Sequence, residues 1–389
     1  MSAAQAQARV ESPAKRQAKH IRPIVAGTRG SALALWQTRH VLALLRERAP
    51  EIDVAIEEIS TRGDRTQALR VPLTQLGDKS MFVAELEQAL LAGGAGLHRR
   101  ESGGNAGGDG EIIIPPATGR VQHTPTNGTA RGGESTTRPE IEVNGQRITA
   151  IDMAVHSLKD LPGRLDTRLV IAAVPARADP RDAVISRHGV GLLALPPGAT
   201  VATSSLRRRA QLLALRPDFQ MLEMRGNVDT RVRKALAADG PDAIVLAAAG
   251  LQRLGLEGHI TELLPVETMV PAVGQGALAV EIRVDDRPLR RLLARIEDMR
   301  TRLAVTAERA VLAELGGGCQ VPMGAHASLS ADDQTLRLLA VVASLDGTRL
   351  VRVEREGPAS RPAALGRAVA RELLRNGGRA ILRELLGAA

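Results

Sequence analysis

The 389-residue chain has a single cysteine, no tyrosine and only three aromatic residues besides histidine: Trp36, Phe82 and Phe219. One cysteine excludes an internal disulfide and a cysteine-based zinc cluster, so nothing here calls for an oxidising compartment. The scarcity of aromatics means that aliphatic side chains must build the core. It also removes the stacking platforms on which single-stranded nucleic acid is held. Residues 1–22 are polar and basic, and no apolar run is long enough for a signal peptide or a membrane span. The eight histidines never take the H-x-x-x-H spacing with an acidic partner, so no metal site is expected. These absences together predict a soluble cytoplasmic protein of two or three domains.

What the chain has is positive charge, a formal +9. Part of it lies in the leading segment, where Arg9, Lys15, Arg16, Lys19 and Arg22 face only Glu11. The remaining arginines form short clusters beside small polar residues, as in Ser204-Ser205-Leu206-Arg207-Arg208-Arg209. Guanidinium forks bind carboxylates and phosphates bidentately, so small polyanions are better partners than nucleic acid or a membrane.

Along the chain, short apolar runs alternate with helical periodicity. Strands are predicted at 24–28, 53–60, 151–155, 169–174, 220–223, 243–247 and 278–283, and helices at 31–48, 82–91, 206–215, 302–315 and 363–386. Such alternation predicts parallel α/β domains. Residues 93–148 break the rhythm. They hold thirteen glycines, and six arginines balanced by six acids, the composition of an insertion unable to bury enough apolar surface to fold by itself. Only 111–114 and 140–143 have strand character there. Gly274-Gln275-Gly276-Ala277-Leu278-Ala279 matches G-x-G-x-x-A, but a strand follows it where a dinucleotide site requires a helix.

Three constellations carry chemistry. In the first, His156-Ser157-Leu158-Lys159-Asp160-Leu161-Pro162 follows a buried strand, which places His156, Lys159 and Asp160 at its carboxyl end, where α/β folds bind ligands. The same residues also suit a local role, Asp160 capping a helix and Lys159 pairing with it. The second is a set of loops, Thr28-Arg29-Gly30-Ser31, Thr203 to Arg208 and Arg225 to Arg231, with Arg253 beyond, which combine guanidinium, hydroxyl and helix-start N–H donors. The third is Cys319, in Gly316-Gly317-Gly318-Cys319-Gln320-Val321-Pro322, a turn that presents a thiol, although a lone cysteine also serves as a small core hydrophobe. The residues leave three readings open: an enzyme acting on a substrate with several carboxylates, a non-enzymatic binder of anionic ligands with Cys319 structural, or an acyl transferase using Cys319 as nucleophile with His326 or His156 as base.

These segments, with Thr61-Arg62-Gly63-Asp64, Asp179-Pro180-Arg181-Asp182, Leu251 to Leu256 and Pro271 to Gly276, fall in the order found in porphobilinogen deaminases, and the chain resembles that family across nearly its whole length outside the leading segment and the insertion. The resemblance implies three α/β domains, the first two like periplasmic binding proteins around a hinge and the third carrying the cysteine. The implied boundaries are a disordered basic tail at 1–21, a first domain at 22–175 plus 276–295 interrupted by the 93–148 insertion, a second at 181–270 and a third at 299–389. It also implies that four porphobilinogen molecules are joined head to tail, with loss of ammonia, on a dipyrromethane cofactor thioether-linked to Cys319, before hydroxymethylbilane is released. Asp160 becomes the catalytic residue. Lys159, Ser205, Arg207 and Arg208 hold the cofactor; Arg29, Ser31, Arg225, Arg231 and Arg253 hold substrate; Lys79 and Phe82 belong to a lid, with Ser80 where the family usually has glycine. A monomer is implied.

Overall fold

The computed structural model describes residues 23–61, 83–93, 138–143, 145–316 and 321–387. The first lobe is built outward from β1 (Ile24–Thr28), which pairs in parallel with β2 (Val54–Glu58) and with β5 (Met153–Ser157). β12 (Leu278–Arg283) and β6 (Leu169–Ala173) complete the order β2-β1-β5-β12-β6, and β12 runs antiparallel to both neighbours. Helix α1 (Ala32–Arg48) starts at Ser31, whose Oγ accepts the Ala34 N–H at 3.3 Å. Its buried positions, Ala34, Gln37, Thr38, Val41, Leu42 and Leu45, follow helical spacing and form one stripe against the sheet. Helix α2 (Ala84–Ala92) covers the opposite face with Leu86, Ala89 and Leu90. Burying Leu86 and Leu90 contributes about 2 kcal/mol each.

The C-terminal end of the expected insertion belongs to this lobe. β3 (Glu140–Val143) and β4 (Gln146–Thr149) form an antiparallel hairpin, and Val143 and Ile148 join the core under α2. Arg138 anchors the hairpin by donating to Pro23 O at 2.7 Å, Ala150 O at 3.1 Å and Asp152 Oδ2 at 2.6 Å. The strand character of 140–143 is visible in the sequence, whereas averaging composition over 93–148 merges 146–149 with the glycine-rich stretch. The partner of 140–143 is 146–149; the alternative at 111–114 lies outside the described residues.

The second lobe repeats the pattern of the first. β8 (Thr200–Ala202), β9 (Gln220–Leu222) and β10 (Ala243–Ala247) are parallel, while β7 (Asp182–Ser186) runs antiparallel to β10 and to the edge strand β11 (Glu262–Leu264). Helices α3 (Leu206–Leu215), α4 (Val228–Ala235) and α5 (Ala248–Arg253) connect these strands. Both sheets are therefore mixed, which corrects the all-parallel expectation. In each lobe the antiparallel strand, β7 or β12, is the one entered just after the chain crosses from the other lobe. Periodicity marks a strand as buried without recording its direction.

The third domain packs α7 (Met299–Leu315) and α8 (Pro362–Leu373) on an antiparallel sheet of β13 (Met323–Leu329), β14 (Thr335–Ala343) and β15 (Leu350–Pro358). A preceding short helix, α6 (Arg287–Leu293), belongs to the first lobe through Leu289 and Leu293. A wide turn at Leu374–Gly378, with Gly377 at φ 114°, separates α8 from α9 (Arg379–Gly387). Among the described residues, no helix is long and apolar enough to cross a membrane.

Candidate active site

β5 delivers the site. After Ser157 the chain makes a single 3-10 turn, Leu158–Asp160, pinned by fully buried Leu158, whose N–H donates to Ala277 O at 3.0 Å, and by buried Leu161. The hydrophobic anchors leave Lys159 and Asp160 half-buried at the end of the strand. Asp160 is the last residue of this turn and caps no helix, which removes the capping role that its sequence allowed. Asp160 shares a cleft with Arg29, Gln37 and Ser157. Gln37 Nε2 donates to Ser157 Oγ at 2.8 Å and so ties α1 to the strand end. Gln37 has no role in the sequence reading, because its burial at 3% is a tertiary fact.

His156 lines the same cleft as Asp160, but it is buried and turned to a partner, its Nε2 3.1 Å from Oε2 of Glu281 on β12. Glu87 on α2 joins this group, its carboxyl pushed up to about 7 by burial and then by the charge of Glu281, with His156 opposing. His326 lies in the third domain, 3.7 Å from Glu308, and burial lowers its pKa.

The arginine loops divide. Ser31 and Ser205 both act as N-caps, Ser205 Oγ accepting the Arg208 N–H at 3.4 Å, so both hydroxyls sit at helix starts where N–H groups favour anions. Arg207 and Arg208 are buried on an aspartate the sequence reading had left without a role. Arg207 Nη1 donates to Asp182 Oδ2 at 2.7 Å, and Arg208 donates to Asp182 Oδ1 through Nη2 at 2.8 Å and Nε at 3.0 Å. Burial alone would raise the Asp182 carboxyl, but attraction to Arg207 and then Arg208 holds it well below the usual carboxylate range. Two guanidinium groups against one carboxylate leave a positive excess, and Arg207 Nε is buried without a hydrogen-bond partner among the described residues. Arg231 adds a further cation. It donates to Gly226 O at 2.7 Å and is pushed down to about 10 by burial and by the charges of Arg208 and Arg225. Arg225 pairs with Glu223 at 2.8 Å.

Arg253 is turned toward the lobe boundary. Its Nη2 donates to Gly276 O at 2.6 Å, and its guanidinium lies 5.7 Å from the ring centre of Trp36 on α1. Burial pushes it down to about 10. The Gly274-Gln275-Gly276 segment is a crossover and not a phosphate loop. Both glycines have positive φ, 70° and 88°, and a Cβ at Gly276 would lie 2.5 Å from Ala178 O of the other crossing segment. Lys79, Phe82 and Cys319 lie outside the described residues; α7 ends at Leu315 with Gly316 left-handed at φ 67°, and β13 begins at Met323. Among the described residues, no group of His, Cys, Asp and Glu could hold a metal ion.

Fold and site together define a two-lobed α/β protein with an added antiparallel domain, a carboxylate at a strand end and cation-rich loops. Residues 24–98 and 139–291 match the family model of the porphobilinogen deaminase dipyromethane cofactor binding domain, and residues 302–375 match that of the porphobilinogen deaminase C-terminal domain. The chain is 45% identical over 359 residues to a porphobilinogen deaminase from Roseiflexus sp. (strain RS-1), covering 92% of this chain and 98% of that one. It is 46% identical over 356 residues to the enzyme of the same name from Roseiflexus castenholzii, covering 92% and 97%. Among solved structures, a periplasmic binding protein of high arginine specificity from Salmonella typhimurium superposes with a TM-score of 0.33 at 9% identity, covering 71% of this chain and 92% of that one. The chain belongs to the porphobilinogen deaminase family. It is a deaminase of tetrapyrrole biosynthesis that works with a dipyrromethane cofactor. The family match skips the residues between 98 and 139, within the 93–148 segment.

Proposed function

We propose that Asp160 is the catalytic carboxylate, that Cys319 is the attachment point of the dipyrromethane, and that the arginine loops neutralise the acetate and propionate groups of the pyrroles. The observation that carries this reading is the cleft shared by half-buried Asp160 and Arg29, at the strand end that Gln37 and Ser157 hold in place. When bound, the cofactor supplies the tethered primer on which four porphobilinogen units are joined head to tail before hydroxymethylbilane leaves.

The donor set suits such a group. The Arg207–Arg208–Asp182 cluster has a positive excess and an unpartnered buried Nε, and Arg231 stands beside it. A carboxylate brought there gains charge-assisted hydrogen bonds in a poorly solvated place. Ser205, at the start of α3, and Lys159, beside Asp160, complete the cofactor side. Arg29, Ser31, Arg225, Arg231 and Arg253 serve the substrate side, Arg253 after release from Gly276 O. Lys79 and Phe82 are assigned to the lid.

Loss of ammonia from porphobilinogen leaves an azafulvenium cation. Asp160 stabilises that positive charge in the half-buried cleft, then accepts the proton lost from the attacked pyrrole carbon. Lys159 cannot replace it, because an ammonium repels the same cation. The protein is proposed to act as a cytoplasmic monomer on a small-molecule substrate, without nucleic acid or membrane; the lack of base-stacking aromatics supports that view.

Intact-protein mass spectrometry tests the reading. The protein should exceed its sequence mass by one dipyrromethane, carried on the peptide containing Cys319, and Cys319→Ala should yield protein with neither the added mass nor turnover. Full activity from unmodified protein would overturn the assignment.

A further inference from the structure

The two segments that cross between the lobes run side by side and are joined mainly by one residue, Gln275. It is fully buried. Its Nε2 donates to Pro180 O at 2.7 Å on the neighbouring segment and to Asp182 Oδ1 at 2.9 Å, while its Oε1 accepts Arg208 Nη2 at 3.4 Å. Its backbone O accepts Arg177 Nε at 2.8 Å. A carboxamide at the crossover therefore touches both the carboxylate and one guanidinium of the buried arginine pair.

On its other side the crossover is saturated. Glu308 of α7, fully buried, accepts Arg177 Nη1 at 2.6 Å, Arg177 Nη2 at 3.2 Å, Gly274 N–H at 2.7 Å and Ala327 N–H at 2.9 Å. A buried carboxylate with four donors and a bidentate arginine is a fixed joint. Asp182 also accepts four donors, from Arg207, Arg208 and Gln275, but there two arginines share one carboxylate and Arg207 Nε has no hydrogen-bond partner among the described residues. An incoming carboxylate competes with Asp182 and Gln275 for Arg208, so each added anionic ring alters the contact that Gln275 makes.

We propose that Gln275 and Asp182 are positioning residues for elongation, coupling the arginine pair that meets pyrrole carboxylates to the interlobe crossover, so that lobe arrangement adjusts as anionic charge accumulates in the cleft. This rests on the cofactor-side assignment of Arg207 and Arg208 made above. Neither residue touches the reacting atoms. Trp36, the sole tryptophan, gives an independent reporter, because Arg253 of the second lobe lies over its ring.

Gln275→Met keeps the length of the side chain and removes all three of its amide hydrogen bonds. After a short pulse of porphobilinogen, intact-protein masses count the pyrrole units added to each molecule. The variant should carry the cofactor mass as the parent does, while its population with three or four added units falls about tenfold relative to that with one, within the range of coupling between linked sites. Trp36 emission should change on substrate addition in the parent and change less in the variant, where only the direct contact of substrate with Arg253 remains. Asp182→Asn should shift the stage distribution in the same direction, and if it fails to fold, Gln275→Met alone decides. A uniform slowing of all stages with parent-like Trp36 response, or loss of the cofactor mass in Gln275→Met, would overturn the proposal. A parent protein without cofactor mass would instead overturn the active-site reading.

Discussion

Nε2 of His156 lies 3.1 Å from Oε2 of Glu281, with the two side chains 4% and 0% exposed. The pair links β5, which delivers Asp160, to β12, which returns from the second lobe, and it stands beside Glu87 of α2. Three ionisable side chains from three elements thus back the strand that delivers Asp160, the proposed catalytic carboxylate.

Glu87 makes stability depend on pH. Its carboxyl is raised from 4.5 to about 7 in the folded protein, so below 4.5 both states hold the proton and no penalty arises. As pH climbs to about 7 the unfolded chain has released a proton that the fold retains, and stability falls. Glu87→Gln removes this dependence. Melting temperatures across that window should show the variant gaining on the parent as pH rises, and parallel curves would refute the effect.

Asp160→Asn preserves size and hydrogen-bonding capacity but removes the charge that opposes the azafulvenium cation. Cofactor-loaded protein should be recovered with turnover lowered ~10²-fold or more. Single-turnover ammonia release measures this directly. Near-normal turnover would remove Asp160 from the chemistry.

The arginines should separate by stability as well as by activity. Arg208→Leu withdraws one of two cations from fully buried Asp182 and should cost about 3 kcal/mol in denaturant unfolding, besides impairing cofactor loading. Arg225 pairs with the more exposed Glu223, so Arg225→Leu should change stability by less than about 1 kcal/mol while blocking a distinct stage of elongation. Equal losses of stability would contradict the division between buried and exposed pairs.

Replacing residues 100–136 with a Gly/Ser linker of about ten residues should retain cofactor and activity, because the family match passes over that stretch. Extending the deletion through Thr149 should not. It removes Val143 and Ile148 from the core beneath α2 and the anchoring bonds of Arg138. Comparing soluble yield and melting temperature of the two deletions tests the boundary, and equal behaviour would place the hairpin outside the fold.

Local chemistry in the sequence determined a good deal. Leu206–Leu215 and Ala243–Ala247 are helix and strand over the residues their periodicity predicts, and Ser31 and Ser205 stand at helix starts. Asn144-Gly145 between alternating runs is a strong hairpin signal; the strand character of 140–143 is legible, and its partner 146–149 is missed when composition is weighed over a longer window. These features depend on neighbours a few residues away. Strand direction in the two sheets, the burial of His156 on Glu281 and the seating of Arg207 and Arg208 on Asp182 depend on partners 25 to 125 positions distant. A buried charge is stable only where the fold supplies its counter-charge. That supply is a property of topology, so the sequence could nominate the arginines while only the tertiary structure decided what they hold.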